Sequence, residues 1–318
     1  MSGSKLVNGV QRERAPLEDW LCAPYNLPRA AEYAPRRPAQ QPAPGRVSGR
    51  YTSARPAQGG AAPKARLLHE EDMVYLYDGG FEGFLCCVYE SFARHELPFA
   101  IWPPERETVT FYPVKTIDTD PAVAARVFAS FAKKLGKDCE RLIMTCFLSG
   151  REDKELLMIR FLHLAYAEGP RVMALLGHPE VAPMYAMQRQ VAREVEKWMG
   201  FVRFEESEGM LGAVIHPQNY VLPLLRAHFC GRYPEESFLI YDATHQAVLL
   251  YRNHRATITD LAAPLALPSP SEKESYYQQL WKQFYDTLAI KERRNEALRR
   301  NHCPKRYWAD MTELKGEL

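Results

Sequence analysis

The chain has 318 residues, of which 25% are charged and 46% are hydrophobic, and its formal net charge is only +2. This composition is typical of a protein of one or two domains in water. No stretch of the sequence reaches the roughly 18 apolar residues that a membrane-spanning helix needs, and the N-terminus lacks the apolar run of a secretory signal. The seven cysteines are odd in number and scattered, which is typical of reduced core thiols. We therefore expect a cytoplasmic protein without membrane contact.

The charge is unevenly distributed between a basic N-terminal part and a mildly acidic remainder. Residues 1–66 hold 11 Lys/Arg against 4 Asp/Glu, and the remainder holds 30 against 35. The same segment carries nine prolines and six glycines, so it cannot bury enough apolar surface to offset its ordering entropy. We predict a disordered, basic Pro/Arg-rich tail over residues 1–68 and a globular domain over residues 69–318.

The first predicted elements are a strand and a helix joined by a glycine turn. Residues 73–77 form an apolar, aromatic-rich run that ends at Asp78-Gly79-Gly80. Residues 81–94 then carry apolar side chains at helical spacing. Residues 109–114 are a candidate second strand. Asp120 followed by Pro121 predicts the start of a helical block, because a carboxylate caps the first amides and proline suits the first helical position.

The remaining elements are predicted in chain order. The helical block continues over residues 141–148, 153–168 and 179–199, the last with Gly200 beyond its end. Strands at residues 201–206 and 212–216, a helix at 221–229 and a hairpin of 238–241 with 248–251 follow. Ser271 caps a C-terminal helix rich in aromatic residues. Because helices and strands occur in blocks rather than alternating, we predict an α+β fold with a central helical block, a mostly antiparallel sheet and C-terminal helices.

A search for catalytic motifs returns isolated residues only. The sequence contains no phosphate-binding P-loop, no CxxC, no HExxH and no GxSxG, so we expect neither a cofactor nor a metal. Asp242 could form a general acid–base pair with His216 or His228. The alternative is that Asp242, at the junction of a strand and a turn, only closes the turn. His163 lies on an apolar helix, where we expect a hydrogen-bonded core histidine.

The glycine turn has two interpretations. The backbone amides at Gly79 and Gly80, just before a helix, could hold a phosphate group. The alternative is a tight turn that needs glycine for its backbone angles.

The C-terminal segment, residues 293–308, is the most informative part of the chain. Six cations precede two aromatic rings, and cations beside rings suit a polyanion with stackable bases. The alternative is a solvated helix face whose rings dock it onto the domain. The residues concerned are Arg293, Arg294, Arg299, Arg300, Lys305, Arg306, Tyr307 and Trp308.

A set of short motifs spans the predicted domain in order. They lie at residues 77–85, 147–150, 178–179, 200–204, 217–225, 228–232, 240–242, 294–295, 304–308 and 313–314. With these motifs, the chain from about residue 72 to 314 resembles the bacterial family of DNA-metabolism and DNA-repair proteins that contains the domain of unknown function DUF4130. The tail and the absence of a glycosylase segment after residue 318 depart from the family pattern.

The resemblance implies partners rather than chemistry. Members are similar to proteins encoded beside a radical-SAM protein linked to DNA modification or repair, and some relatives are fused to a uracil-DNA glycosylase-like domain. No catalytic residue comes with the family. We therefore expect a nucleic-acid-binding protein, with DNA and a radical-SAM protein as partners and without catalysis of its own. The alternatives are a protein–protein adaptor, whose surface would be the aromatic helix at residues 271–288, and an enzyme acting on nucleic acid.

Overall fold

The computed structural model of the protein describes residues 69–104, 110–207, 209–265, 270–289 and 295–314. The predicted tail, residues 1–68, lies outside the described residues. The elements follow in chain order: β1 (His69–Leu76), α1 (Phe81–Arg94), β2 (Glu96–Trp102), β3 (Val114–Thr116), α2 (Pro121–Lys134), α3 (Lys137–Phe147), α4 (Lys154–Glu168), a 3₁₀ turn (Gly169–Ala174), α5 (Ala182–Phe201), β4 (Glu205–Ser207), β5 (Met210–Ile215), α6 (Leu222–Arg232), β6 (Phe238–Asp242), β7 (Ala247–Arg252), β8 (Arg255–Asp260), α7 (Glu272–Leu288), α8 (Glu296–His302) and a second 3₁₀ turn (Lys305–Asp310).

The first sheet is small and parallel. Its strands lie in the order β2-β1-β3, and both neighbours run parallel to β1. Helix α1 connects β1 to β2, so this part of the chain is a βαβ unit. The sequence pattern did not predict β2, which contains Pro98. Proline has no N–H to donate to a ladder, and β2 can hold it because it is an edge strand.

The helical block begins where the sequence predicts. The Asp120 side chain accepts hydrogen bonds from the backbone N–H groups of Ala122 (2.8 Å) and Val123 (3.2 Å), which caps α2. Helix α3 begins at Lys137, four residues before the predicted start, and α5 runs to Phe201. The prediction that Gly200 lies beyond the end of α5 is therefore wrong, since this residue belongs to its last turn.

The second sheet has five strands in the order β4-β5-β6-β7-β8. Three of its four pairings are antiparallel, including the predicted β6–β7 hairpin, so the expectation of a mostly antiparallel sheet is confirmed. Strands β5 and β6 are parallel and α6 crosses between them. Strand β8 is additional to the predicted elements. The prediction that helices and strands occur in separate blocks is therefore corrected, because the chain contains two βαβ units. The predicted α+β class itself is confirmed.

One hydrophobic core joins the helices to both sheets. Among its fully buried large side chains are Phe84 of α1, Phe131 of α2, Trp198 of α5 and Phe238 of β6. Helix α7 is different, because none of its residues is buried. The last helices therefore lie on the surface of a core that the other elements build. None of the described helices combines the length and the apolar character that a bilayer crossing requires.

Candidate functional site

The two rings of the C-terminal segment lie in the core. Tyr307 is 0% exposed and Trp308 is 2% exposed. The Tyr307 ring meets the rings of Trp198 and Phe201 at centroid distances of 4.8 and 5.2 Å. The indole Nε1–H of Trp308 donates to the backbone oxygen of Cys303 (2.8 Å). Neither ring is available to stack on a base in this structure, so the expected base-stacking platform is corrected: the rings dock the segment onto the domain.

The protein itself engages several cations of the segment. Arg299 lies 4.4 Å over the Trp308 ring and pairs with Glu296 at 3.1 Å. Lys305 lies 5.4 Å over the same ring. Arg300 is exposed, and its Nε–H donates to the backbone oxygen of Glu296 (3.3 Å). Two further cations of the predicted interface lie outside the described residues: Arg293 and Arg294.

Arg306 belongs to a network around a buried carboxylate. Its guanidinium donates to Gln218 Oε1 and lies 3.7 Å from Glu194 Oε1. Glu194 accepts hydrogen bonds from the backbone N–H groups of Gln218 (3.0 Å) and Asn219 (2.8 Å). Asn219 Oδ1 in turn accepts the N–H of Gly150 (3.0 Å). Buried charges persist in proteins when they are paired and hydrogen-bonded, so this Arg306 contact serves the fold.

A second ion pair, beyond the C-terminal segment, attaches Glu313 to the stretch that follows α5, and a hydrogen bond attaches it to α7. Arg203 Nη2 lies 2.7 Å from Glu313 Oε1, and the Trp281 indole N–H donates to Glu313 Oε2 (3.2 Å). Burial is the largest single influence and acts to raise the pKa of the Glu313 carboxyl. The hydrogen bonds from Arg203, from a backbone N–H and from Trp281, together with the charge of Arg203, outweigh it, so the pKa is lowered overall. Glu313 therefore connects the end of the described chain to Arg203, which follows α5, and to Trp281 of α7.

The three candidate catalytic residues do not pair with one another. The Asp242 carboxylate is 0% exposed and accepts the backbone N–H groups of Thr244 and His245, each at 3.0 Å. Its other oxygen lies 2.7 Å from His245 Nδ1. His216 pairs instead with Asp310 at 2.9 Å. The expected pairing of Asp242 with His216 or His228 is thus corrected, and the Asp242 contacts are those of a carboxylate that closes a turn.

The glycine turn is filled by the protein's own carboxylate. Gly79 has a φ of 82°, and the N–H of Gly80 donates to Asp78 Oδ1 (2.9 Å). Thr119 Oγ1 donates to Asp78 Oδ2 (2.7 Å). A Cβ at Gly83 would lie 2.1 Å from Asp78 Oδ1, so a larger residue there would displace this carboxylate. The position expected for a phosphate therefore already holds an anion.

A groove of about 960 Å³ lies between α7 and the ends of α5 and α6. Tyr277, Trp281 and Phe284 line it from α7, and His228 and Arg232 line it from α6. Trp281 is 44% exposed and Phe284 is 53% exposed. The groove thus brings exposed rings and cationic side chains together. The sequence predicted this combination at the C-terminal segment instead.

The charge available in the groove comes from α6. The Arg232 guanidinium contacts Tyr233, whose hydroxyl oxygen accepts at 3.4 Å, and among the described residues no carboxylate pairs with it. Burial lowers the pKa of His228, and the charge of Arg232 lowers it further. Arg203 also lines the groove, but Glu313 holds it. Near pH 7, Arg232 is therefore the principal cation that a ligand can reach.

One carboxylate also lines the groove. Glu274 accepts a hydrogen bond from the backbone N–H of Glu206 (3.3 Å) and another from the side-chain amide of Gln278 (3.0 Å). Ser271 caps α7 by accepting the N–H of Glu274, as the sequence predicts. The Glu274 side chain, however, reaches across to β4 instead of returning to the cap. This bond helps to hold α7 beside the sheet.

Helix α7 also presents an exposed apolar face, which we call the α7 face. Each of its members is at least two-fifths exposed, and four of them follow one helical stripe at spacings of four, three and four residues. The α7 face consists of Tyr276, Tyr277, Leu280, Trp281, Phe284 and Leu288. The sequence indicated an aromatic helix here, but its exposure and the groove beneath it depend on contacts between distant segments.

The comparisons with known proteins concern the C-terminal half of the chain. None of the curated proteins matches the chain at a significant level. Residues 152–313 match the family model of a domain of unknown function, DUF4130. The structure adds no metal site to this comparison: within the described part of the chain, no group of three or more His, Cys, Asp and Glu side chains is arranged to hold a metal ion. Because the family match covers about half of the 318 residues, the chain belongs to the DUF4130 family.

Proposed function

We propose that the protein is a nucleic-acid-binding protein of DNA metabolism and repair that contacts its ligand in the groove between α6 and α7. One observation carries this proposal. The exposed rings of Trp281 and Phe284 line the same groove as the Arg232 guanidinium. Cations attract phosphate groups and exposed rings attract bases, so the groove combines the two contacts that such a ligand needs.

The proposal assigns no catalysis to this chain. The strongest titratable candidates are engaged in local structure, because Asp242 closes a turn with His245 and His216 is held by Asp310. We propose that the chemistry is carried out by a radical-SAM protein that acts on DNA. This partner follows from the family resemblance alone, and we treat it as a separate part of the proposal with its own test.

The nucleic-acid part is tested by fluorescence anisotropy with labelled DNA over a series of salt concentrations. The full chain is compared with Arg232→Gln and with Arg252→Gln, a matched control at an exposed arginine at the end of β7. We expect the full chain to bind DNA. The slope of log binding constant against log salt concentration should fall by about one in Arg232→Gln, because one phosphate contact is lost, and should be unchanged in Arg252→Gln. Equal effects of the two substitutions, or no binding near physiological salt, would contradict the proposal.

A second arm addresses the C-terminal segment without disturbing the fold. Arg299 and Arg306 have structural contacts, so neutralising them would confound binding with stability. Arg300 and Lys305 are both exposed, so the double variant Arg300→Gln/Lys305→Gln removes two surface charges and, as contacts, only a hydrogen bond to Glu296 at 3.3 Å and a cation–π contact with Trp308 at 5.4 Å. If this variant, and not Arg232→Gln, loses DNA affinity, the C-terminal segment is the interface and the groove is not.

The exposed α7 face favours one alternative function, a protein–protein adaptor. Large contiguous apolar patches on a surface commonly mark protein interfaces. An adaptor would bind the radical-SAM protein through α7, and Leu280→Glu would abolish their co-purification while Arg232→Gln would not. Retained co-purification in Leu280→Glu would argue against this alternative.

A further inference from the structure

We propose that the groove accepts a single unpaired strand, with bases against Trp281 and Phe284 and a phosphate group at Arg232, and that it does not accept a duplex. This inference rests on the proposed function, because it names the class of nucleic acid that the same groove would bind. Three features of the groove carry it: the orientation of the rings, the number of cations and the position of one carboxylate.

The two rings are arranged as a platform for flat ligands. Trp281 and Phe284 are three residues apart on α7, their centroids are 5.8 Å apart and their planes differ by 27°. Both rings remain about half exposed. A base inside a duplex has both faces covered by its neighbours, so only an unstacked base can lie against such rings. Exposed, nearly parallel rings therefore favour an unpaired strand.

The cations of the groove are too few for a duplex interface. Proteins that bind duplex DNA often contact about 6–10 phosphates. Here Arg232 is the principal reachable cation near pH 7, because Arg203 is held by Glu313 at 2.7 Å and burial lowers the pKa of His228. A short unpaired segment needs only one or two such contacts, since stacking supplies much of its affinity.

The carboxylate in the groove acts in the same direction. Glu274 is fixed by its hydrogen bonds to Glu206 and Gln278, so it cannot easily swing away from an approaching ligand. A duplex would bring two closely spaced rows of phosphates toward this anion, and like charges repel. A single strand can turn its bases toward the α7 side and keep its phosphates near Arg232.

The experiment compares a labelled 12-nucleotide strand with the duplex of the same sequence, using the full chain. Phe284→Ala removes one ring of the platform. Tyr276→Ala is the matched control, because Tyr276 is an equally exposed aromatic residue of α7 that does not line the groove. We expect the single strand to bind at least about tenfold more tightly than the duplex, and Phe284→Ala to weaken single-strand binding about tenfold. Tyr276→Ala should change neither affinity.

The outcomes separate this inference from the proposed function. If strand and duplex bind equally well and Arg232→Gln weakens both, the protein binds nucleic acid but the groove does not select an unpaired strand. If Phe284→Ala and Tyr276→Ala have the same effect on the single strand, the platform is wrong. If neither ligand binds, the proposed function fails together with the inference, and a protein occupant of the α7 face takes its place. Circular dichroism of each variant confirms that its fold is intact.

Discussion

The buried carboxylate of Glu194 makes two kinds of contact: it accepts hydrogen bonds from two backbone N–H groups, and it pairs with an arginine. The amides belong to Gln218 and Asn219, and the arginine is Arg306. Asn219 and Arg306 also belong to the motifs that carry the family resemblance. Their contacts with Glu194 give these two motif positions a structural role in hydrogen bonding. Residues that identify the family are thus, at this point of the molecule, residues that hold the fold together.

At His163 the hydrogen bonds specify which ring nitrogen carries a proton. Ser91 Oγ donates its proton to the backbone oxygen of Glu96 (2.6 Å), so the hydrogen bond between His163 Nε2 and Ser91 Oγ (2.8 Å) requires the imidazole to donate. Its ring also stacks on Phe92 at 3.9 Å. Burial, and then the charge of His95, lower the pKa of His163 to about 4. The expected core histidine with a hydrogen-bond partner is therefore confirmed.

This lowered pKa predicts a dependence of stability on pH. Because the folded state holds His163 neutral and its pKa below 6.5, the unfolded chain binds the proton first on acidification. The stabilisation is complete above about pH 6.5 and is lost as the pH falls toward 4, by up to about 1.4 kcal/mol per pH unit. Urea unfolding of the full chain and of His163→Gln at pH 7 and pH 5 measures this. The variant should lose less stability between these pH values, whereas an equal loss would mean that folding does not lower the pKa of His163.

At the scale of elements, α7 is a helix held by few contacts. Ser271 caps its first turn, Glu274 reaches β4, and Trp281 donates to Glu313. Its apolar side chains contribute little to packing, since none of its residues is fully buried, although the half-buried Tyr285 packs against the core. Most helices gain their stability from a buried apolar face, so α7 depends on its cap and its polar contacts to an unusual degree.

Leu288 tests this description of α7. It is 61% exposed, so Leu288→Lys should change the free energy of unfolding by no more than about 0.5 kcal/mol. The same substitution should lower any self-association that occurs through the α7 face, because it places a charge there. Thermal unfolding and light scattering measure the two quantities. A loss of more than about 2 kcal/mol would show that Leu288 packs against the domain in solution.

The sequence predicted the elements whose signals are local. The α2 start follows from Asp120 and Pro121 alone, and the β6–β7 hairpin follows from two short apolar runs around a turn. Strand β2 was not predicted, because its assignment depends on pairing with β1 and its Pro98 is a poor strand signal. Local patterns determine elements, whereas pairing partners are set by the rest of the chain.

The candidate site was less predictable than the fold. The pattern of six cations and two rings at residues 293–308 predicted a nucleic-acid interface, but the same pattern fits rings that face either the core or the solvent. Tyr307 and Trp308 face the core because Trp198 and Phe201, about 110 residues earlier, are there to receive Tyr307. The groove could not be predicted, because its walls come from α6 and α7, which do not meet along the sequence.

At the scale of the whole molecule, the C-terminal segment completes the core. Trp308→Ala should lower the free energy of unfolding by about 3–5 kcal/mol, because it removes a fully buried indole. Trp281→Ala should cost only about 1 kcal/mol, chiefly through its hydrogen bond to Glu313. Denaturant unfolding of both variants compares the two tryptophans directly. Similar costs would contradict the assignment of one indole to the core and the other to the surface.

The closure of the core by distant segments has a consequence for the order of folding. The Lys197–His302 hydrogen bond joins residues 105 positions apart, and the Arg203–Glu313 pair joins residues 110 positions apart. Until residues 302–314 arrive, the Tyr307-facing edges of Trp198 and Phe201 are open to water and to other chains. Loops of this length close slowly compared with local helices, so an intermediate with a complete helical block and an uncovered aromatic surface should precede the native state. We expect the chain to be most prone to aggregate while that surface is open, for a time set by how quickly these last contacts form.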